Sequence, residues 1–498
     1  MTGSNVNRIS PRMYPGTWPV ILTLSTLAGL LFYPELALVS AILLIYIVIF
    51  ADQKRSCSLC KDIANKFSPT PLIRNKSIYI PVLIFSLAFL LVIFRDISLL
   101  THPRFWAEDG RHFFEFSYHH NWLDTLLYRP EYQLILSNIS ALIASRMMPM
   151  ELAPLPFSLI WLANISAALA IVAWGKSSVW DTALKKIVVC CIIIFAPRTA
   201  EIWLNANGSQ YYSSLITALI LCEPLLDAGR FKKYSFRFLL AIGSLNGVLS
   251  CLLTPLYWIK AFKHRNDKEI IIQALILSVG AILQLALILM SPKHAARDIL
   301  TSVPLFGWIT GVKALGLAFS TELSEYIAQI VHLTTTDGKM KTLQVGGLIF
   351  VAIWLSLIIF LASKLKNSAS IYLLASYILL FVFSSIFGIG GDNNILFTQT
   401  DTGNRYYYVP SALILIVTMS LIFLPSAVRY GRSLVIIASL ILGLGLLNST
   451  EHFYKHPIKH PSWPDWKKEA AKWEKDHNYI LRIWPTGWTI NLQQKNIK

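Results

Sequence analysis

The chain has 498 residues, 55% of them hydrophobic and 14% charged, and its mean hydropathy is +0.54. Soluble domains carry about 25% charged residues, so an ordinary soluble globule is excluded. Continuous rather than alternating apolar runs also speak against a β-barrel. The net charge of +17 comes from Lys and Arg in short loops between apolar runs, as the positive-inside rule expects; no nucleic-acid motif accompanies it, and no nucleic-acid partner is expected. The expected class is an all-α polytopic membrane protein with the lipid bilayer as its first partner.

The polar start, Met1 to Thr17, leads into an apolar stretch without a small-residue cleavage site, so no cleaved signal peptide is expected. Trp18 to Phe50 is too long for one crossing and is interrupted at Tyr33-Pro34-Glu35, which predicts a hairpin of two short helices. The next loop, Ala51 to Lys76, carries Lys54, Arg55, Lys61, Lys66, Arg74 and Lys76 and marks the cytosolic side. Cys57 and Cys60 form a CxxC there, without the second ligand pair a zinc site needs. Cys190, Cys191, Cys222 and Cys251 lie in apolar runs, where packing is their default role.

Ile78 to Phe94 then leads outward, Pro154 to Trp174 returns, Ile187 to Trp203 goes out and Tyr211 to Leu226 comes back. Phe238 to Ile259 is flanked by basic loops on both sides. A single crossing would strand one of them outside, so a break at Gly243 to Gly247 into two short legs is expected. Ile270 to Met290 goes out, and Val303 to Ser320 is an apolar piece of the next outer segment. Thr342 to Ala362, Ile371 to Phe387, Val409 to Leu424 and Leu434 to Leu447 complete about 13 crossings. The predicted division is a membrane domain over 1–447, with outer loops at 98–153, 204–210, 291–341 and 388–408, and a Trp-rich outer tail over 448–498. The N-terminus is expected inside.

The first outer loop concentrates chemistry. Trp106-Ala107-Glu108-Asp109-Gly110-Arg111 places two adjacent carboxylates just beyond a crossing. Ionisable groups near membrane depth are costly and usually functional. His102, Arg104, His112, Glu115, His119 and His120 surround the pair, interleaved with aromatic residues that suit an interfacial belt. Over Glu131 to Met148 an apolar face of Tyr132, Leu136, Ile139, Ile143 and Met147 predicts a helix lying in the interface.

Later outer segments add cations and amides. Arg198, Glu201, Asn205, Asn207 and Gln210 gather at one helix end. Asp392, Asn393, Asn394, Asp401 and Asn404 precede Arg405 and Tyr406 to Tyr408. An arginine at a helix start beside phenols suits bidentate phosphate binding; Lys293, His294 and Arg297 are weaker candidates of that kind. The tail holds Trp463, Trp466, Trp473, Trp484 and Trp488. Pro464-Asp465 predicts a helix start, and a hairpin is expected from Tyr479 to Leu492 around Pro485-Thr486-Gly487.

A loop carboxylate in a many-helix membrane protein resembles the GT-C class of glycosyltransferases. The chain is more narrowly similar to bacterial O-antigen-modifying glucosyltransferases through Trp106 to Gly110, Arg405 to Tyr407 and Trp484 to Trp488. The resemblance implies a GT-C-like bundle in the bacterial inner membrane, with interfacial helices in its outer loops and a small periplasmic C-terminal module. It implies transfer of a hexose such as glucose from a polyprenyl-phosphate carrier to a polysaccharide or lipid-linked glycan. Asp109 is expected as general base and Glu108 as acceptor-orienting residue, roles that can be reversed. Arg405, Tyr406, Tyr407, Arg111 and Arg198 are expected at the donor phosphate, and Trp106, His112, Trp484 and Trp488 at the acceptor. The loop lacks a spaced Asp-x-Asp, so no tightly held metal is implied; assistance by Mg²⁺ or Mn²⁺ stays open. An O-antigen polymerase or ligase and a lipid-linked-glycan transporter or flippase share the layout. Nearly charge-free crossings and the absence of repeated halves weigh against the transporter.

Overall fold

The computed structural model describes residues 76–493 apart from 96, 197–198, 227, 292–299, 301, 337–339, 366, 389–390, 401, 424–437, 448–449 and 451–461. The expected hairpin over Trp18 to Phe50, the following basic loop, Cys57 and Cys60 lie outside the described residues, as do Arg198, Lys293, His294, Arg297 and Asp401.

The described chain is mostly helical. The longer helices are α1 (Lys76–Phe94), α2 (Ile135–Met147), α3 (Leu155–Ala173), α4 (Ala183–Phe195), α5 (Ser209–Leu221), α6 (Arg230–Leu245), α7 (Thr254–Lys263), α8 (Lys268–Met290), α9 (Val303–Ile309), α10 (Thr321–Thr336), α11 (Met340–Lys364), α12 (Ser368–Phe387), α13 (Tyr408–Ile422) and α14 (Trp466–Lys475). Among the described residues, five stretches are long and apolar enough to cross a membrane: Met150–Ala173, Lys268–Met290, Lys341–Lys364, Ser368–Phe387 and Asn404–Ile422. They coincide with five expected crossings. A mostly helical membrane protein is therefore the class; the other described apolar helices have shorter apolar stretches, and the expected hairpin over Trp18 to Phe50 and the start of Leu434 to Leu447 lie outside the described residues.

Helix α5 is the hub. Every one of its residues is buried, and it packs on α3, α6, α12 and α13. Its neighbours tie polar groups to backbone carbonyls, as a medium without water requires. Tyr257 donates to the Thr217 carbonyl at 2.8 Å, and Tyr408 to the Ile193 carbonyl at 2.8 Å.

The expected break near Gly243 to Gly247 is present. Helix α6 ends at Leu245, Gly247 adopts φ +91°, and α7 begins at Thr254. Both legs pack along α8. Their basic ends lie at one level: Arg237 Nη2 pairs with Glu269 at 2.5 Å, Lys232 pairs with Glu223, and Lys260 donates to the Leu221 and Glu223 carbonyls. The segment thus goes up and returns. Buried Glu223 also accepts from the backbone amides of Lys176 and Ser177 and from the Trp180 indole, so this residue collects three basic loops, two at its carboxylate and one at its backbone carbonyl. At the tip, Gln284 of α8 accepts from the Gln133 amide at 2.9 Å and donates to the Gln133 and Ser244 carbonyls.

Helix α2 starts at Ile135, not Glu131. It buries Leu136, Ser137, Asn138, Ser140, Ala141 and Ala144, leaves Ile139 and Ile143 half-buried and exposes Met147 (73%).

The tail is ordered as its sequence predicts, with α14 capped by Asp465 and an antiparallel hairpin of β1 (Leu481–Ile483) and β2 (Trp488–Ile490). It shares one core with the segment ahead of α2 and with α3: Phe105, Phe113, Phe114 and Phe157 pack with Trp466, Leu481, Ile483 and Ile490. Glu469, 2% exposed, anchors the module by accepting from Lys472, Tyr479 and Arg482 at 2.7 to 3.1 Å. Burial alone would raise its pKa, but these donors outweigh burial and bring it from 4.5 down to about 2. A depressed carboxylate stabilises the fold above its unfolded pKa and loses that contribution as protons bind. The tail is therefore expected to loosen as pH falls from about 4.5 towards 2. Tryptophan emission of the detergent-solubilised protein reports this, and Glu469→Gln should remove that pH dependence while lowering stability at neutral pH.

Candidate functional site

The acidic motif is built between two partners, the tail on one side and the start of α5 on the other. Trp106 pairs with Trp484 as an isolated parallel bridge. The Ala107 amide donates to the Trp484 carbonyl at 2.5 Å, and the Trp484 amide to the Phe105 carbonyl at 3.3 Å. A π-helical turn then runs over Asp109–Phe114. Gly110 lies close under the hairpin: a Cβ there would lie 2.6 Å from Ile483 Cδ1 and 2.8 Å from Ile490 Cδ1, and those side-chain ends would have to shift.

Asp109 is 1% exposed. Its Oδ2 accepts from the Ala206 amide at 3.0 Å and its Oδ1 from the Asn207 amide at 2.9 Å, just ahead of α5. Burial pushes its pKa up to about 7; the two amides and Arg104 pull it down, and Glu108 adds to the rise. Both carboxylate oxygens are thus occupied within the protein.

Among the described residues, the non-glycine positions with positive φ are Ala107 (28°) and Leu204 (51°). They flank the two strands of chain that meet at Asp109. Such conformations cost about 1–3 kcal/mol each and concentrate at functional sites.

Glu108 is placed differently. Arg405 Nη1 donates to its Oε1 at 3.3 Å, with the two side chains 31% and 22% exposed respectively. Its second oxygen, Oε2, has no hydrogen-bond partner within the protein. Arg405 sits in the short turn Asn404–Tyr407 ahead of α13, after Gly403 at φ +67°. Its guanidinium also lies 5.3 Å from the Tyr406 ring centre, and that ring meets Tyr211 edge-on at 6.0 Å. Glu201 stands in the same electrostatic neighbourhood. Its pKa is raised by burial and lowered by Arg405 and Lys313.

The expected site residues therefore divide. Glu108, Arg405 and Tyr406 come together, with Asp109 beneath them. Arg111 and His112 instead contact Trp488, at 5.8 Å and 6.2 Å from its ring centre. Trp106 belongs to an aromatic group with Trp463 and Trp484, and Arg104 lies over both Trp106 and Trp484 at 4.8 and 4.7 Å. Trp484 is 4% exposed, and its indole donates to the Pro464 carbonyl, so it packs rather than presents a face. Tyr407 is likewise buried, its hydroxyl 3.3 Å from Ser385 Oγ. Arg198 lies outside the described residues. Among the described residues, no group of three or more His, Cys, Asp or Glu is arranged to hold a metal ion.

Sequence reasoning passed over two residues near Arg405: Glu201, read as a hydrated helix end, and Lys313, a lone cation inside an apolar run. That placement of Lys313 was itself the available signal. No family model, curated protein or solved structure matches the chain.

The two carboxylates should respond oppositely to amide substitution. Asp109→Asn sets an NH₂ group against a backbone N–H and leaves a buried amide unsatisfied, which costs about 1–3 kcal/mol. Thermal unfolding in detergent should show that loss for Asp109→Asn and little change for Glu108→Gln.

Proposed function

We propose that the chain is a GT-C-type glycosyltransferase that moves a hexose from a polyprenyl-phosphate carrier to a surface polysaccharide such as O-antigen. The observation that carries this reading is the Glu108–Arg405 pair: one partly exposed carboxylate, whose buried Oε2 has no hydrogen-bond partner within the protein, set beside one partly exposed guanidinium. The reading includes about 13 crossings, a bacterial inner membrane and an outer, periplasmic site.

In this reading Glu108 is the base and Asp109 its brace, the reverse of the first-listed sequence assignment. The Glu108 carboxylate takes the proton of the acceptor hydroxyl as the hydroxyl oxygen bonds to C1 of the sugar. The C1–O bond to the carrier breaks, and the polyprenyl phosphate leaves as an anion. Arg405 neutralises the charge that builds on the phosphate, an electrostatic contribution of the kind that dominates many enzymes. Tyr406 supports the guanidinium face. Asp109 stays bound to its two amides and fixes the height of Glu108. The half-buried Trp488, with Arg111 and His112, is the aromatic surface of the tail suited to a sugar ring. A divalent cation is not required by this scheme.

The test is transfer of radiolabelled sugar from polyprenyl phosphate to acceptor glycan in proteoliposomes. Glu108→Gln should slow transfer by about 10²–10⁴-fold, the usual contribution of a positioned general base, and Arg405→Ala should slow it by about 10²–10³-fold. Transfer by Glu108→Gln at the wild-type rate would contradict the assignment. Movement of the lipid-linked sugar across the bilayer without transfer would replace it with a flippase.

A further inference from the structure

Lys313 lies in a π-helical turn, Thr310–Gly316, that continues α9. It is 1% exposed. An isolated buried ammonium is costly, so its partners define its role. Nζ donates to the carbonyls of Gln399 at 2.9 Å, Thr400 at 3.2 Å and Thr402 at 2.9 Å, and to Asn404 Oδ1 at 2.7 Å. All four oxygens belong to the six residues immediately before Arg405. Carbonyls along one chain converge this way only when the backbone is curled around the charge, and Gly403 supplies the left-handed turn that closes the curl.

The support beneath Lys313 is rigid. Helix α9 crosses α11 with backbones almost in contact, since a Cβ on Gly307 would collide with the Gly347 carbonyl. The Trp308 indole donates to the Leu343 carbonyl at 2.7 Å. The ammonium also lies 5.7 Å from the Tyr407 ring centre, so it touches the turn that carries Arg405 from both sides.

We propose that Lys313 is a tethered cation that holds the 399–404 loop closed and thereby positions Arg405 against Glu108. It is a positioning residue, not a catalytic one. Its effect on sugar transfer rests on the transferase reading above; its effect on the loop does not. Removing the ammonium should release the carbonyls and let Arg405 drift. Misplacement of a catalytic group by about 1 Å costs on the order of 10²-fold in rate.

The experiment uses the full-length protein in proteoliposomes and two variants. Lys313→Ala empties the space for a small cation, and Lys313→Met fills it with a neutral stem. Hydrogen exchange of the amides over 399–407 is read together with kcat/KM for radiolabelled polyprenyl-phosphate sugar, with and without methylammonium chloride. The expected result is faster exchange and a loss of about 10²-fold in kcat/KM in both variants. Methylammonium should restore both readouts in Lys313→Ala and neither in Lys313→Met. Wild-type exchange and rate in Lys313→Ala would overturn the proposal. So would losses that methylammonium leaves unchanged in both variants, which would reduce Lys313 to packing. Amine-restored exchange in a protein whose wild type transfers no sugar would uphold the clamp and overturn the transferase reading.

Discussion

The carboxylate of Asp109, closed off from solvent and bound by the Ala206 and Asn207 amides, is the contact on which the rest of the site depends. It joins the turn Asp109–Phe114 to the start of α5, every residue of which is buried. Burial drives its pKa up and the two amide bonds draw it back. The chain tolerates that tension, along with positive φ at Ala107 and Leu204 on either side. Once Asp109 is committed, the preceding residue is left at the surface of the joint, and there Glu108 meets Arg405.

The tail completes this arrangement. It is not an appendage: its hairpin pairs with the acidic motif, seats against Gly110 and shares a core with the loop's phenylalanines. The Asn491 amide donates to Glu115 at 2.9 Å, and the Trp466 indole to the Met150 carbonyl at 2.8 Å. Loop residues that would otherwise be free to move are thus bounded on both sides. Preorganisation of this kind reduces the reorganisation needed when charge develops during a reaction. The same logic applies to Arg405, whose loop is curled around Lys313. A carboxylate and a guanidinium borne on distant parts of the chain face one another, each beside a buried group of its own charge type: Asp109 next to Glu108, and Lys313 within the loop that leads to Arg405.

Much of this was legible in the sequence, and the remainder was hidden for physical reasons. Long apolar runs announce themselves, so the five stretches long and apolar enough to cross a membrane fall where hydropathy puts them. Basic loops on both sides of Phe238 to Ile259 forced a returning segment, and the glycines at its middle supplied the turn. Turn residues in the tail likewise predicted its hairpin. Composition could not distinguish Glu108 from Asp109, because adjacent carboxylates differ only in what the fold brings to each. Trp484 read as a sugar platform, since aromatic residues in outer loops suit both recognition and packing; the Pro464 carbonyl and the Arg104 guanidinium committed it to packing. Lys313 was passed over, because the four loop oxygens to which it donates lie 86 to 91 residues away.

The central claim is that Glu108 and Arg405 act as one unit. A double-mutant cycle on the rate of sugar transfer, using Glu108→Gln, Arg405→Ala and the combined variant, tests it most directly. Residues acting together lose far less in combination than the sum of their separate losses. The account predicts a coupling of about 1 kcal/mol or more between the two positions. Strictly additive losses would contradict it.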